Sequence, residues 1–161
     1  MMDALLDLTA QMAREGIRRL LVLSGDEAWT LQQAQALRER LAGDGLWVGS
    51  EPVSAPGVAP GALKTLLGRE VMHAFFDARR GFDVAALAAL SGTLRAGSWL
   101  VLLTPSFADW PSRVDEDSLR WSDTPDPIST PNFVLRCCRQ FIADPEVLLW
   151  RQSDSPRLPL A

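Results

Sequence analysis

The sequence predicts a single three-layer α/β domain, Rossmann-like, with a mostly parallel sheet of about five strands. Segments of helical spacing alternate with short apolar runs five times along the 161 residues. Short connections in such an alternation imply right-handed βαβ crossovers with helices on both faces of the sheet. The run at 98–103, SWLVLL, is apolar without interruption, as a strand buried on both faces of a parallel sheet must be. A chain of this length buries roughly 70% of its unfolded surface, and 47% of its residues are apolar. It therefore needs neither disulfide nor metal to hold a core.

The elements follow in order. Residues 3–15 place Leu5, Leu8 and Met12 on one helical face, and Gly16 suits the left-handed cap beyond it. Residues 17–23, IRRLLVL, form the first strand and end at the turn Ser24-Gly25-Asp26. Helical spacing returns over 30–41 through Ala34, Leu37 and Leu41, closed by Gly43; Leu46-Trp47-Val48 is the second strand. Residues 51–60 hold three prolines and a glycine and read as loop, and 61–67 fit two helical turns stopped by Gly68. The third strand spans 71–76 and ends at Asp77. Asp83 then caps a helix with Val84, Leu87, Leu90 and Leu94 on one side, ended by Gly97 before the fourth strand at 98–103. Thr130-Pro131 supplies an N-cap and a proline at the first helical position, opening a helix with Phe133, Val134, Cys137 and Phe141 inward. Asp144-Pro145 ends it, and the last strand spans 147–150. Periodicity leaves the strand order open.

Two segments depart from the alternation. Residues 105–129 carry four prolines, five aspartates and the tryptophans Trp110 and Trp121. Structureless loops of that length are uncommon inside compact domains and are often functional. The domain thus spans 1–152. Residues 153–161, with Pro156 and Pro159, read as the start of a linker.

Composition excludes several classes of function. The net charge is −4, whereas an autonomous nucleic-acid binder needs cations to neutralise phosphates. Cys137 and Cys138 are adjacent and cannot pair without severe strain. His73 is the one histidine, so no Cys–His metal spacing exists, and a reduced, cytoplasmic protein is expected. Neither a signal peptide nor an apolar run of about 18 residues is present, so no membrane association is expected.

Ligands of open parallel sheets sit beyond the carboxyl ends of the strands. That makes Ser24, Gly25, Asp26, Asp77, Arg79 and Thr104 the candidates. The turn LSGDEAW has one glycine, and neither GxxxxGK[ST] nor GxGxxG occurs, so converging backbone amides for a phosphate are not supplied. Asp77 has the setting of a magnesium-holding aspartate, but without a phosphate loop it is expected to pair with Arg79 or Arg80. His73 lies within a strand with no visible nucleophile in reach, and Ser91-Gly92 falls within a helix rather than at a nucleophile elbow. Trp47, Trp99 and Trp150 are expected in the core. Trp110 and Trp121 either pin the long loop to the sheet or anchor a domain interface. No catalytic, cofactor-binding or metal-ligating residue is assigned.

The blocks EGIRRLLVLSGDEAW, LKTLLGREVMHAFFDAR, FDVAALAALSGTLRAGSWLVLLTP and DSLRWSDTPDPISTPNF together resemble the N-terminal domain of bacterial tRNA(Met) cytidine acetyltransferases. The likeness runs in order over nearly the whole chain. It implies a parent enzyme that acetylates N4 of the wobble cytidine of elongator tRNA(Met), using acetyl-CoA, ATP or GTP, and magnesium. It also implies a helicase-like ATPase module and an acetyltransferase domain downstream of the 153–161 linker, with tRNA bound through the parent. The phosphate loop and acetyl-CoA site of that family lie beyond this chain, so no catalytic residue carries over. The expectation is a non-catalytic module that packs on the ATPase domain and helps shape the tRNA path. Arg14, Arg18 and Arg19 are its candidate phosphate-facing cluster, the alternative being that they are simply solvated. The competing reading is a stand-alone Rossmann- or flavodoxin-like domain with a small ligand at the sheet's switch point.

Overall fold

Each apolar run assigned to a strand is a strand, because alternate side chains find buried partners on both sides of one sheet. The computed structural model describes residues 2–41, 45–48, 57–58, 73–79, 81–92, 94–115, 118–119, 122–123 and 125–152. Their strands are β1 (Arg19–Ser24), β2 (Gly45–Val48), β3 (Gly57–Val58), β4 (His73–Asp77), β5 (Trp99–Thr104), β6 (Val114–Asp115), β7 (Ile128–Ser129) and β8 (Leu148–Arg151). The helices are α1 (Met2–Glu15), α2 (Glu27–Arg40), α3 (Val84–Ser91) and α4 (Pro131–Ala143). The main sheet has the order β3-β2-β4-β5-β1-β8 with every pairing parallel. Five of its strands have four or more residues, as the sequence predicts, and β3 adds two residues at an edge.

Register sorts the side chains by face. One row runs through Trp47, Phe75, Val101, Leu21 and Leu148, and the next through Val48, Phe76, Leu102, Val22 and Leu149. Since neighbours along a strand point to opposite faces, the rows belong to different cores. The first packs with Leu5 and Met12 of α1 and Ala34 and Leu37 of α2. The second packs with Ala86 and Leu90 of α3 and Val134 and Cys138 of α4. This is the three-layer arrangement.

Strand order then fixes where a ligand crevice would open. α2 carries the chain from β1 past β5 and β4 to β2, whereas α3 and α4 carry it back in the other direction. Crossovers of one hand place helices travelling in opposite directions on opposite faces, in accord with the two cores. The connections after β1 and after β5 therefore diverge from neighbouring strands, which is the topological switch point of such sheets. Ser24 and Thr104 end those two strands and are paired in register.

Several expectations are corrected. The proline-rich stretch 51–60 is not all loop, since Gly57–Val58 pairs with Trp47 and Val48 of β2. α2 begins at Glu27, ahead of its first apolar positions. α3 stops at Ser91 with Gly92 as C-cap, because glycine is a poor helix former. Leu94 is buried beyond the helix, and Gly97 (φ +83°) instead shapes the turn into β5, donating its N–H to the Ile17 carbonyl at 2.7 Å. Gly16 (φ +73°) does cap α1 in the left-handed region. Residues 105–129 are not structureless: they hold a 3-10 turn, Trp110–Ser112, and an antiparallel ribbon of β6 and β7. Pro131 opens α4 as expected, but the Thr130 side chain makes no capping bond. Phe133 is exposed rather than inward, because the buried stripe of α4 runs through Val134 and Cys138. Trp47 and Trp99 are core residues, whereas Trp150 on the edge strand is only half-buried. The predicted helix at 61–67 with its Gly68 stop, the Gly43 stop, positions 71 and 72 of the predicted third strand, Arg80, Trp121 and the linker 153–161 lie outside the described residues.

Candidate functional site

At the switch point the polar groups turn on one another. The buried Ser24 hydroxyl donates to the Pro105 carbonyl at 3.0 Å, and the buried Thr104 hydroxyl donates to the same carbonyl at 2.9 Å. The Gly25 N–H donates to the Thr104 carbonyl at 3.4 Å. Asp26 is the N-cap of α2 but makes no side-chain capping bond. Its backbone N–H donates instead to Gln152 Oε1 at 2.8 Å, while the Gln152 N–H donates to the Ser24 carbonyl at 2.9 Å. A helix N-terminus at this place is where dinucleotide-binding sheets hold a phosphate. Here the Asp26 N–H at the start of α2 is taken by a side-chain amide oxygen of the chain itself.

Gly25 makes the close approach possible. A Cβ at position 25 would lie 2.7 Å from Gln152 Oε1, 2.8 Å from Gln152 Cβ and 2.9 Å from Trp29 Cε3. Such separations are well inside van der Waals contact, so the lack of a side chain at position 25 is what lets Gln152 and Trp29 lie this close. Sequence reasoning missed Gln152 altogether. No local pattern marks it, because its role depends on β8 lying beside β1.

The acidic candidate is closed as well. Asp77 Oδ1 accepts from Arg79 Nε at 2.8 Å and from the Arg79 N–H at 3.0 Å, and Oδ2 accepts from Nη2 at 2.8 Å. Arg79 Nη1 donates to the Glu27 carbonyl in the first turn of α2 at 2.9 Å. Both side chains are largely buried, at 10% and 5% exposure. Burial works against the Arg79 charge, but the hydrogen bond and charge of Asp77, with the charge of Glu27, outweigh it and raise the pKa. The pairing foreseen for Asp77 is thus with Arg79, and it occupies both carboxylate oxygens.

Beside this pair the long loop is fastened by aromatic rings. Trp110, 5% exposed, lies between Phe82 (5.8 Å) and Phe107 (6.1 Å), and Phe82 also meets Phe76 and Phe133 at 6.2 Å. Arg151 sits over the Phe107 ring at 5.7 Å. The Phe82 N–H donates to Asp115 Oδ1 at 3.1 Å, tying β6 to the segment before α3. Ala78, Arg79, Gly81, Trp110, Arg113 and Val114 border a shallow cleft with room for a single water molecule.

The remaining candidates have structural surroundings. His73 is buried, and its Nδ1 accepts the Trp99 N–H at 3.0 Å, extending the sheet ladder. Burial, reinforced by the neighbouring Cys137 thiol, pushes the Cys138 thiol up to about 11, the opposite of what a reactive cysteine needs. Ser91 donates to the Ala88 carbonyl within α3. Arg14 is exposed at the end of α1. Arg18 donates to the Leu94 carbonyl at 2.9 Å, and Arg19 pairs with Glu146 at 2.8 Å. Arg18 and Arg19 lie at the amino edge of the sheet, away from the switch point. Among the described residues, no group of three His, Cys, Asp or Glu could hold a metal, and no helix is long and apolar enough to cross a membrane.

The comparison with known families decides what this domain is related to. The model described as "tRNA(Met) cytidine acetyltransferase TmcA, N-terminal" matches residues 1–152. The chain belongs to the TmcA N-terminal family. The TmcA of Citrobacter koseri is 61% identical over 160 residues, covering 98% of this chain and 24% of that protein. The TmcA of Salmonella typhimurium is 59% identical over 150 residues, covering 93% of this chain and 22% of that protein. A more distant TmcA, from Nitrosococcus halophilus, is 35% identical over 159 residues, covering 96% and 21%. The chain therefore spans about a quarter of the length of these TmcA relatives, or less.

Proposed function

We propose that this chain is the non-catalytic N-terminal module of a cytoplasmic tRNA(Met) cytidine acetyltransferase. The parent would form N4-acetylcytidine at the wobble position, with acetyl-CoA, ATP or GTP and magnesium all bound elsewhere in it. The module packs on the ATPase domain and helps shape the path of the tRNA. Membership of the TmcA N-terminal family supports the parent's identity. One structural observation supports the non-catalytic role: Gln152 takes the Asp26 N–H at the switch point, and Arg79 binds both carboxylate oxygens of Asp77. The Asp26 N–H and the Asp77 carboxylate are thus both engaged within the chain.

The small-ligand reading requires free amides at this same point, so melting curves separate the two. A ligand at 100 times its Kd adds ~2.7 kcal/mol, or roughly 5–10 °C for a domain of this size. ATP, GTP and acetyl-CoA should each leave the melting temperature of this chain unchanged. A shift of several degrees with any of them would restore the ligand-binding reading.

A further inference from the structure

Among the described residues, three large apolar side chains stand out of the loop that crowns the carboxyl edge of the sheet and of the helix turn after it. Val114 of β6 is 54% exposed, Leu119 48%, and Phe133 in the first turn of α4 36%. Val114 borders the cleft lined by Gly81, Trp110 and Val134, and the Phe133 ring, next along the chain to Val134, lies 6.2 Å from Phe82. Leu119 follows Ser118, whose hydroxyl accepts the N–H of Ile128 in the β6–β7 ribbon. Arg113, also exposed, borders the cleft beside them. The support beneath is rigid, since Trp110, Phe82 and Phe107 interlock under the loop. An apolar group held out on a fixed platform, with a cation at its rim, has the anatomy of an interface.

The course of the chain indicates what covers it. β8 runs parallel to its neighbour, so the polypeptide leaves the sheet at this same edge. Its exit is clamped, with Arg151 over Phe107 and Gln152 bound to Ser24 and Asp26. Relatives that match nearly all of this chain are about four times as long. We propose that the carboxyl-edge patch of Val114, Leu119, Phe133 and Arg113 is the docking surface for the domain that follows in the same polypeptide. That domain presents apolar side chains to the patch and a carboxylate to Arg113. The inference rests on the reading of the chain as a module of a larger protein. Joining in one polypeptide makes this association intramolecular, so modest apolar area suffices to hold it.

The test is hydroxyl-radical footprinting of the polypeptide as the source cells make it, read by mass spectrometry. Phe133, Leu119 and Val114 should be labelled at least several-fold less than Ile142 and Leu135. Those two residues, 43% and 39% exposed on the outer side of α4, serve as internal references. In a V114D/F133D variant of the whole protein, labelling at Leu119 should rise toward the reference level. Cleavage between 153 and 161 should then release the N-terminal part on gel filtration, while the unsubstituted protein stays associated. Equal labelling of patch and reference residues would overturn the proposal, as would a native product no longer than this chain. Protection that depends on protein concentration would assign the patch to a second copy, and protection that appears only with added tRNA would assign it to RNA; either also overturns it. Nucleotide or acetyl-CoA melting shifts report on the non-catalytic reading independently, so failure of one is distinguishable from failure of the other.

Discussion

Arg79 shows how a single side chain can close a site. Its guanidinium takes both oxygens of Asp77 and reaches the Glu27 carbonyl, so the aspartate that ends β4 is half of a buried ion pair. Breaking a buried pair from one side strands a charge and costs about 3–5 kcal/mol, whereas replacing both partners by apolar groups costs much less. Urea denaturation of R79A should show a loss of that order, and D77L/R79L should recover much of it. Gly25 acts by what it lacks. G25A drives a methyl into Gln152 and Trp29 and should cost about 1–3 kcal/mol, the range for overpacked sites. Q152G removes two of the three close atoms, so the double variant should be more stable than the sum of the singles predicts. Strict additivity in that cycle would mean that the glycine and the glutamine do not share the site.

Among the elements, the described part of 105–129 is anchored by the ring of Trp110. Trp110 is buried against Phe82 and Phe107, and α4 packs against the 3-10 turn that carries it. A fully buried tryptophan cut to alanine costs about 3–5 kcal/mol. W110A should therefore lose stability on that scale, and limited proteolysis should cut first within 105–129 while the parallel strands persist. Simultaneous digestion of the whole chain would show that the loop and sheet unfold as one unit. The strands resist because β5 is buried along all six residues between β1 and β4. Its backbone bonds therefore open only when the sheet does.

For the whole molecule, net charge and site geometry agree. A chain of net charge −4, with Arg19 held by Glu146 and Arg79 by Asp77, offers little to a polyphosphate backbone. Residues 1–161 alone should leave tRNA(Met) unshifted in native gels at micromolar protein and near-physiological salt. A shift there that weakens steeply with added salt would make this domain an RNA-binding element in its own right.

The alternation of periods, the apolar run of β5, the Gly16 cap, the Asp83 cap (bonded to the Ala86 N–H at 3.1 Å) and the Asp77–Arg79 pair were all legible in the sequence. Each depends on residues within a turn or a strand of one another. The absence of a phosphate loop was legible for the same reason, since such loops are contiguous. Strand order was not, nor were the two-residue pairing of β3, the outward turn of Phe133 and the bond of Gln152 to Asp26. These are decided by which segments lie side by side after crossovers of dozens of residues. Gln152 meets Asp26 across 126 positions, and its meaning exists only once β8 lies against β1. Local propensity and hydrophobic periodicity thus determined the layers and the lack of a phosphate loop. Long-range packing alone decided that Gln152 binds Ser24 and Asp26 at the switch point.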